Sequence, residues 1–291
     1  MEKAVKKYWP IFVLPTVAAF TIGFIYPFIQ GLYLSFCKFN TIKKVTFVGL
    51  QNYQYALTDS SFYHAFGYTL AFAVVSVLLI NVIAIALALA LTAKIKGTNT
   101  FRTVFFMPNL IGGIVLGYIW KTLLDCFLSL IEQPLLALNE KWGFIGLVIL
   151  MCWQQIGYMM IIYIAGLQSI PEDMLEAAKI DGATKLQTLF KVIVPNLMSS
   201  VTICLFLSLT NGFKLFDQNL ALTGGQPFEW QADGTVVKTT EMLALNIFNT
   251  FYGQSSSARG VAQAKAVLFF VLVAAISLIQ LSATKRREVQ Q

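Results

Sequence analysis

Carboxamides set beside aromatic rings, inside otherwise apolar stretches, are the residues of this chain whose types and spacing could do chemistry. Trp153, Gln154, Gln155, Gly157 and Tyr158 interrupt one such stretch. Ser208, Thr210, Asn211 and Gly212 interrupt another, which ends in Lys214 and Asp217, and Asn109 follows Pro108 with Gly112 and Gly113 close by. Polar groups inside an apolar run face a cavity or a neighbouring helix. The chemistry on offer is recognition: ring faces stack on apolar C–H faces while amides and hydroxyls hydrogen-bond to hydroxyls, a lining that suits a neutral polyhydroxylated solute better than formal charges would. Packing between helices competes with that use, because Asn and Ser often bridge spans. Lys214 and Asp217, three apart on one helix face, read as a structural ion pair or an outer-gate element.

Bond-making chemistry finds no support. His64 is the single histidine and has no acidic residue near it in sequence. Cys37, Cys126, Cys152 and Cys204 show no metal spacing and read as packing thiols. No catalytic residue, metal site or cofactor is expected, and no G-x-x-x-x-G-K-[ST] string is present, so the chain is not expected to cleave ATP. An ion-coupled secondary transporter would show intramembrane carboxylates or His and inverted repeats. A membrane enzyme would need a convergent nucleophile and base. A structural scaffold would leave the amide–aromatic stretches without a use.

The elements that position these residues are membrane spans. Hydrophobic residues make up 57% of the chain and charged ones 12%, with mean hydropathy +0.70, outside the range of soluble domains. Apolar runs near the spanning length of roughly 20 residues fall at 10–34, 66–93, 104–124, 143–167, 197–216 and 261–283. The expectation is a single all-α integral membrane domain over 1–291, with six transmembrane helices. The first run is too long for a signal sequence and contains Pro15 and Pro27, so it is expected to be a kinked, retained span. Lys3, Lys6, Lys7, Lys94, Lys96, Arg102, Lys179, Lys185, Lys191, Lys285, Arg286 and Arg287 fall on one side of six spans, which puts both termini in the cytoplasm. Lys38, Lys43, Lys44, Lys141, Lys238 and Arg259 oppose this from mixed loops containing Asp59, Glu140, Glu229 and Asp233. The pI of about 9.2 then reflects orientation and not nucleic-acid binding. Outside, 40–63 could lie on the membrane surface, 239–252 has helical spacing, and Ser255–Ser257 suggests mobility.

Between the fourth and fifth runs lies a polar break, 169–195, that reads as a helical hairpin on the cytoplasmic side. Ser169 and Glu172 have the form of a capping box with Pro171 in the first turn. The helix is expected to run to Asp181, stop at Gly182 as a C′ residue, restart at a second box formed by Thr184 and Gln187, and close at Pro195. A connector needs only turn chemistry, so a capped hairpin reads as something built to be gripped.

Glu176-Ala177-Ala178, followed by Asp181-Gly182-Ala183, Phe190, Ile193 and Pro195, resembles the EAA loop of permease subunits of binding-protein-dependent ATP-binding-cassette importers, with Val194 in place of the usual Leu. FVGLQNY at 47–53, Phe106-Met107-Pro108, Gly166 through Pro171, Phe213 through Asp217 and Leu222-Thr223-Gly224-Gly225 are similar to the carbohydrate-uptake branch related to maltose and glycerol-phosphate transporters. Against the maltose-type subunit, extra N-terminal helices and a large inserted outer domain are missing. The resemblance implies a non-catalytic permease of a prokaryotic cytoplasmic membrane. Its implied partners are a second homologous permease, two cytoplasmic ATP-binding subunits that bind ATP and Mg, and an extracytoplasmic solute-binding protein. It implies ATPase coupling through Met174, Leu175, Glu176, Ala177, Ala178, Asp181, Gly182 and Ala183. It also carries Asn109, Gly113, Gln154, Gln155, Tyr158, Ser208 and Asn211 over as the substrate path, for a mono- or oligosaccharide or else a polyol or glycerol-phosphate-type solute.

Overall fold

A computed structural model describes residues 2–41, 44–93, 97–231, 234–253, 255 and 258–286, with side chains from residue 9 onward. Lys43, Lys94, Lys96, Asp233, Ser256, Ser257 and Arg287, and the side chains of Lys3, Lys6 and Lys7, lie outside the described residues. In chain order the helices are α1 (Glu2–Phe20), α2 (Tyr26–Ser35), α3 (Gln51–Thr58), α4 (Ser60–Thr92), α5 (Thr98–Phe106), α6 (Gly113–Leu130), α7 (Glu140–Gln168), α8 (Glu172–Ile180), α9 (Lys185–Thr188), α10 (Val194–Asn196), α11 (Met198–Phe213), α12 (Asp217–Leu222), α13 (Leu243–Tyr252) and α14 (Arg259–Lys285). Two antiparallel hairpins interrupt them, β1 (Cys37–Thr41) with β2 (Lys44–Phe47), and β3 (Phe228–Trp230) with β4 (Val236–Lys238).

Five stretches are long and apolar enough to cross a membrane: Trp9–Ser35, Ser60–Thr92, Gly113–Leu130, Glu140–Gln168 and Arg259–Lys285. A sixth is a pair, Lys185–Asn196 and Met198–Phe213, bent by 69°. The third differs from the sequence expectation of 104–124. Pro108 sits in a 3-10 turn, Met107–Leu110, and Ile111 and Gly112 are extended, so the apolar run is split and α6 starts afresh at Gly113. Nor does Pro195 close a helix. A π turn, Leu189–Ile193, precedes it, helix continues through Asn196, and the bend falls at Leu197. Thr21–Ile25, also a π turn, stands two residues before Pro27 in the same way. Widening the preceding turn relieves the clash between a proline ring and the carbonyl four residues back, so the helix passes the proline instead of ending.

The chain forms two compact units. One comprises 1–59 and 247–270, the other 60–246 and 271–291. In the first, Asn52 is buried and donates to the carbonyls of Ser35 (2.8 Å) and Cys37 (2.9 Å), fixing α3 beneath β1. Lys265 lies two turns into α14 with no exposed side-chain surface, its Nζ 2.6 Å from Asp59 Oδ2 and 2.9 Å from Thr250 Oγ1. That charge inside an apolar helix went unremarked at the sequence level.

In the second unit α4 and α7 form the spine, with α11 against both. Small residues permit the approaches. A Cβ on Gly157 would overlap the Phe105 carbonyl, and one on Gly166 would overlap Ser200 Oγ. A polar knot ties the three helices: Tyr163 donates to Asn81 Oδ1 (2.6 Å), and Asn81 Nδ2 donates to Ser208 Oγ (2.9 Å) and back to the Val77 carbonyl (2.7 Å). All its side chains are buried and satisfied, as groups away from water must be.

Candidate functional site

Two broken segments meet α7 at its middle. Residue 154 is the central position of Glu140–Gln168, and there the 3-10 break at 107–112 and the non-helical break between α11 and α12 both arrive. Gln154 Nε2 donates to the Ile111 carbonyl (3.2 Å), a backbone group the break leaves without a helical partner. Its Oε1 accepts from Gln218 Nε2 (2.7 Å), in the first turn of α12. Gln155 Oε1 accepts from Asn211 Nδ2 (3.3 Å), in the last turn of α11. A Cβ at Gly113 would stand 2.9 Å from Asp217 Cβ and from Gln218 Cδ, so the start of α6 is close against the start of α12. Carboxamides from three helices thus converge beside a freed carbonyl, near mid-span, where backbone irregularity is tolerated only against protein or a water-filled cavity. Such a centre can donate and accept hydrogen bonds to an uncharged polar solute without bearing a charge.

The sequence-derived residues divide accordingly. Gln154, Gln155, Asn211 and Gly113 belong to the convergence. Tyr158 is half-buried with its ring 6.4 Å from Phe106, and Asn109 is half-buried on the 3-10 turn. Ser208 is held apart in the Asn81–Tyr163 knot, its hydroxyl also donating to the Cys204 carbonyl (2.7 Å). Lys214 and Asp217 do not share a helix face. α11 ends at Phe213 and α12 starts at Asp217, so the two lie across the break, both exposed, and no ion pair joins them among the described residues. Gln218 was missed because one amide beyond a helix break carries no periodic signal, and Asn81 because it sits alone in a long apolar run.

The loop 169–195 departs from the expected double cap. Ser169 ends α7 and its Oγ donates back to the Gly166 carbonyl (2.7 Å), while Pro171 occupies the N-cap of α8 without a side-chain bond. Proline cannot be followed back into a capping box once the preceding residues close another helix. Glu172 and Asp173 in the first turn and Lys179 in the last complement the helix dipole instead. The stop stands as expected. Gly182 has φ +73°, Gly182 N–H donates to the Lys179 carbonyl (3.1 Å) and Ala183 N–H to that of Ala178 (3.0 Å), a Schellman closure. The Thr184–Gln187 box is formed in both directions, at 2.8 and 3.3 Å. Met174, Glu176, Ala177, Asp181 and Gly182 are exposed, Leu175 and Ala183 half-buried and Ala178 buried. Ile180 (86% exposed), Leu186 and Phe190 add apolar surface that capping arguments did not single out.

Long apolar helices, two of whose segments break to meet amides near the middle of a third, make this a mostly α-helical, multi-pass membrane protein. Residues 96–288 match the family described as binding-protein-dependent transport system inner membrane component, and the chain belongs to that family. It is 42% identical, over 97% of its length and 95% of the relative's, to the probable starch degradation products transport system permease protein AmyD of Thermoanaerobacterium thermosulfurigenes. It is 31% identical, over 99% of both chains, to the multiple sugar-binding transport system permease protein MsmF of Streptococcus mutans. Its fold is similar (TM-score 0.79, 21% identity, 98% of both chains) to a chain in the crystal structure of a bacterial ABC transporter involved in the import of the acidic polysaccharide alginate.

Proposed function

We propose that this chain is one permease subunit of an ATP-driven importer of a mono- or oligosaccharide. The observation that carries the reading is the amide convergence on Gln154 and Gln155, formed where two broken segments reach the middle of α7. A sugar entering there exchanges hydroxyls for the amide–amide bonds, which are weak enough to reopen because each is a neutral pair worth about 1 kcal/mol net. Relatives named for starch products and multiple sugars support the solute class. The 169–195 loop faces the cytoplasm in this reading, with both termini, and its exposed Met174, Glu176, Ala177, Ile180 and Leu186 dock on an ATP-hydrolysing subunit. A second homologous permease, a second ATPase and an extracytoplasmic solute-binding protein complete the assembly, and the membrane is the cytoplasmic membrane of a prokaryote.

Gln155→Ala and Asn211→Ala test the passage. Each is expected to raise the sugar concentration required for half-maximal uptake by about 5- to 10-fold, the worth of one or two neutral hydrogen bonds, with unchanged recovery of the assembled complex. Unchanged uptake in both variants would place the passage elsewhere. A glycerol-phosphate-type solute is the second reading, supported by Lys214, which is exposed and free of any ion pair among the described residues, and by a 29% identical relative, the sn-glycerol-3-phosphate transport system permease protein UgpA of Brucella abortus. Loss of uptake in Lys214→Gln for a phosphate ester, with sugar uptake intact, would favour it.

A further inference from the structure

Gln218 reaches Gln154 although α12, Asp217–Leu222, has little of its own to hold it there. Six residues make fewer than about two turns, too few for a helix to be stable alone, and its N-cap, Phe216, makes no side-chain bond. Toward α6 the contact is one of small groups. A Cβ on Gly117 would overlap Ala221 Cβ, which sets how near the two helices lie without setting how α12 is rotated. The rotation is set next to Gln218. Asn219 is fully buried and uses both ends of its carboxamide: Oδ1 accepts from the Met242 N–H (3.0 Å), and Nδ2 donates to the Thr240 carbonyl (2.8 Å) and to Thr223 Oγ1 (3.2 Å). Gripping a carbonyl and an N–H of one segment suits a carboxamide, a planar group with a donor and an acceptor side by side. The segment it grips is itself anchored. The Leu243 N–H donates to Thr69 Oγ1 on α4 (2.9 Å), and Thr240 Oγ1 donates to the Gln226 carbonyl (2.6 Å).

Successive residues of a helix point about 100° apart, so bonds that fix the direction of Asn219 fix that of Gln218 as well. We propose, on the reading of the amide centre as the sugar passage, that Asn219 is a positioning residue. It holds α12 so that the Gln218 amide stands at Gln154, and through it α4 and the segment 240–243 determine which hydrogen bonds the centre offers a solute. Asn219 acts at one remove, because it is shut away behind Gln218 with no exposed surface. A residue that merely pinned 240–243 to the fold would act on stability whether or not Gln218 kept its amide.

Asn219→Leu, similar in size and without either bonding end, tests this in the assembled transporter. It should raise the sugar concentration for half-maximal uptake about fivefold, the worth of the one hydrogen bond that a displaced Gln218 no longer offers. Beside Gln218→Ala the same substitution should change it by less than about twofold, because the amide that Asn219 positions is already gone. An equal factor in both backgrounds, or no rise where Gln218→Ala alone produces one, would overturn the proposal. Where Gln218→Ala leaves uptake unchanged, a measurement without sugar decides. In the solubilised complex the thermal midpoints of Gln154→Ala, Gln218→Ala and their pair should be non-additive, as bonded neighbours are, and should become additive beside Asn219→Leu. Non-additivity that persists there would overturn the positioning role. Its loss, together with unchanged uptake in Gln155→Ala and Asn211→Ala, would uphold the role of Asn219 and remove the sugar passage instead. Should Asn219→Leu yield no assembled complex, Thr69→Val, which unhooks the Leu243 N–H and leaves α12 whole, makes both comparisons with an expected rise of about twofold that disappears beside Gln218→Ala, and the same failures overturn the proposal.

Discussion

The middle of α7 and the loop that follows α7 solve opposite problems with similar residues. At Gln154 and Gln155 the surroundings are apolar, so every amide is engaged with another group of the chain, and polar atoms determine the geometry. In 169–195 the surroundings are polar, backbone ends are closed locally by Gly182 and by Thr184 with Gln187, and the apolar side chains of Met174, Ile180, Leu186 and Phe190 are left uncovered. In the first region each carboxamide makes at least one hydrogen bond to another group of the chain, and those are the bonds the proposed solute would exchange. The second is complete in its backbone and incomplete in its packing, which is the condition of a protein-docking surface.

Charge reversal in the loop should have the largest effect. Glu176→Lys changes one exposed side chain on α8 that makes no ion pair among the described residues, so membrane insertion and stability should be unaffected. Under the proposed coupling role, substrate-stimulated ATP turnover of the reconstituted complex should be abolished, because the reversed charge would repel the basic partner group proposed to pair with the carboxylate. Turnover at the normal rate would remove the loop from the coupling path. Gly182→Asp should act similarly through the backbone, since φ +73° is disfavoured with a side chain.

Breaking the middle of α7 should act through the fold. Gly157→Ala places a methyl on the Phe105 carbonyl, so α5 must move away from α7, at an expected cost of about 2–4 kcal/mol. Gly67→Ala, with nothing within 4 Å of the added carbon, should be neutral or stabilising by up to about 1 kcal/mol. Equal thermal midpoints for the two solubilised variants would mean that the α5–α7 approach is not tight. Gln154→Leu comes next. It leaves both the Ile111 carbonyl and Gln218 without their partner, at about 1–3 kcal/mol for each group that stays dry. Stability close to wild type would mean that water already reaches the centre.

Much of this was legible in the sequence for a physical reason: helices must bury apolar faces over a fixed length, and amides inside such runs must find partners. Gln154, Gln155 and Asn211 could be picked out on that basis. Partner choice could not. Gln218 reaches Gln154 only because α12 restarts after a break, and Ser208, two turns before that break, is drawn instead to Asn81. The effect of a proline is not fixed by the residue alone. Pro108 splits its span and the helix expected to close at Pro195 runs on through a π turn, as the retained first span does before Pro27, and whether a turn widens depends on packing that no residue type states. Lys265 was invisible as a buried charge because Asp59 and Thr250 come to it from far along the chain.

The smallest expected effect separates two serine- and threonine-based caps that look alike as sequence. Thr184 and Ser169 each stand three residues before a Gln or Glu, and each could open a helix. Only Thr184 does so, with its hydroxyl accepting from the Gln187 N–H and Gln187 returning a bond to the Thr184 N–H. Ser169 spends its hydroxyl on the Gly166 carbonyl behind it, which adds nothing to the N-terminus of α8. Thr184→Ala should therefore cost about 1 kcal/mol of local stability, visible as faster amide exchange through 185–188, whereas Ser169→Ala should stay within about 0.5 kcal/mol and leave exchange in 172–180 unchanged. The assignment is reversed if Ser169→Ala frays α8 while Thr184→Ala does nothing. A hydroxyl caps the helix ahead of it only when the helix behind has not already claimed it, and here α7 runs to Gln168, one residue past its apolar run, with Ser169 as its C-cap.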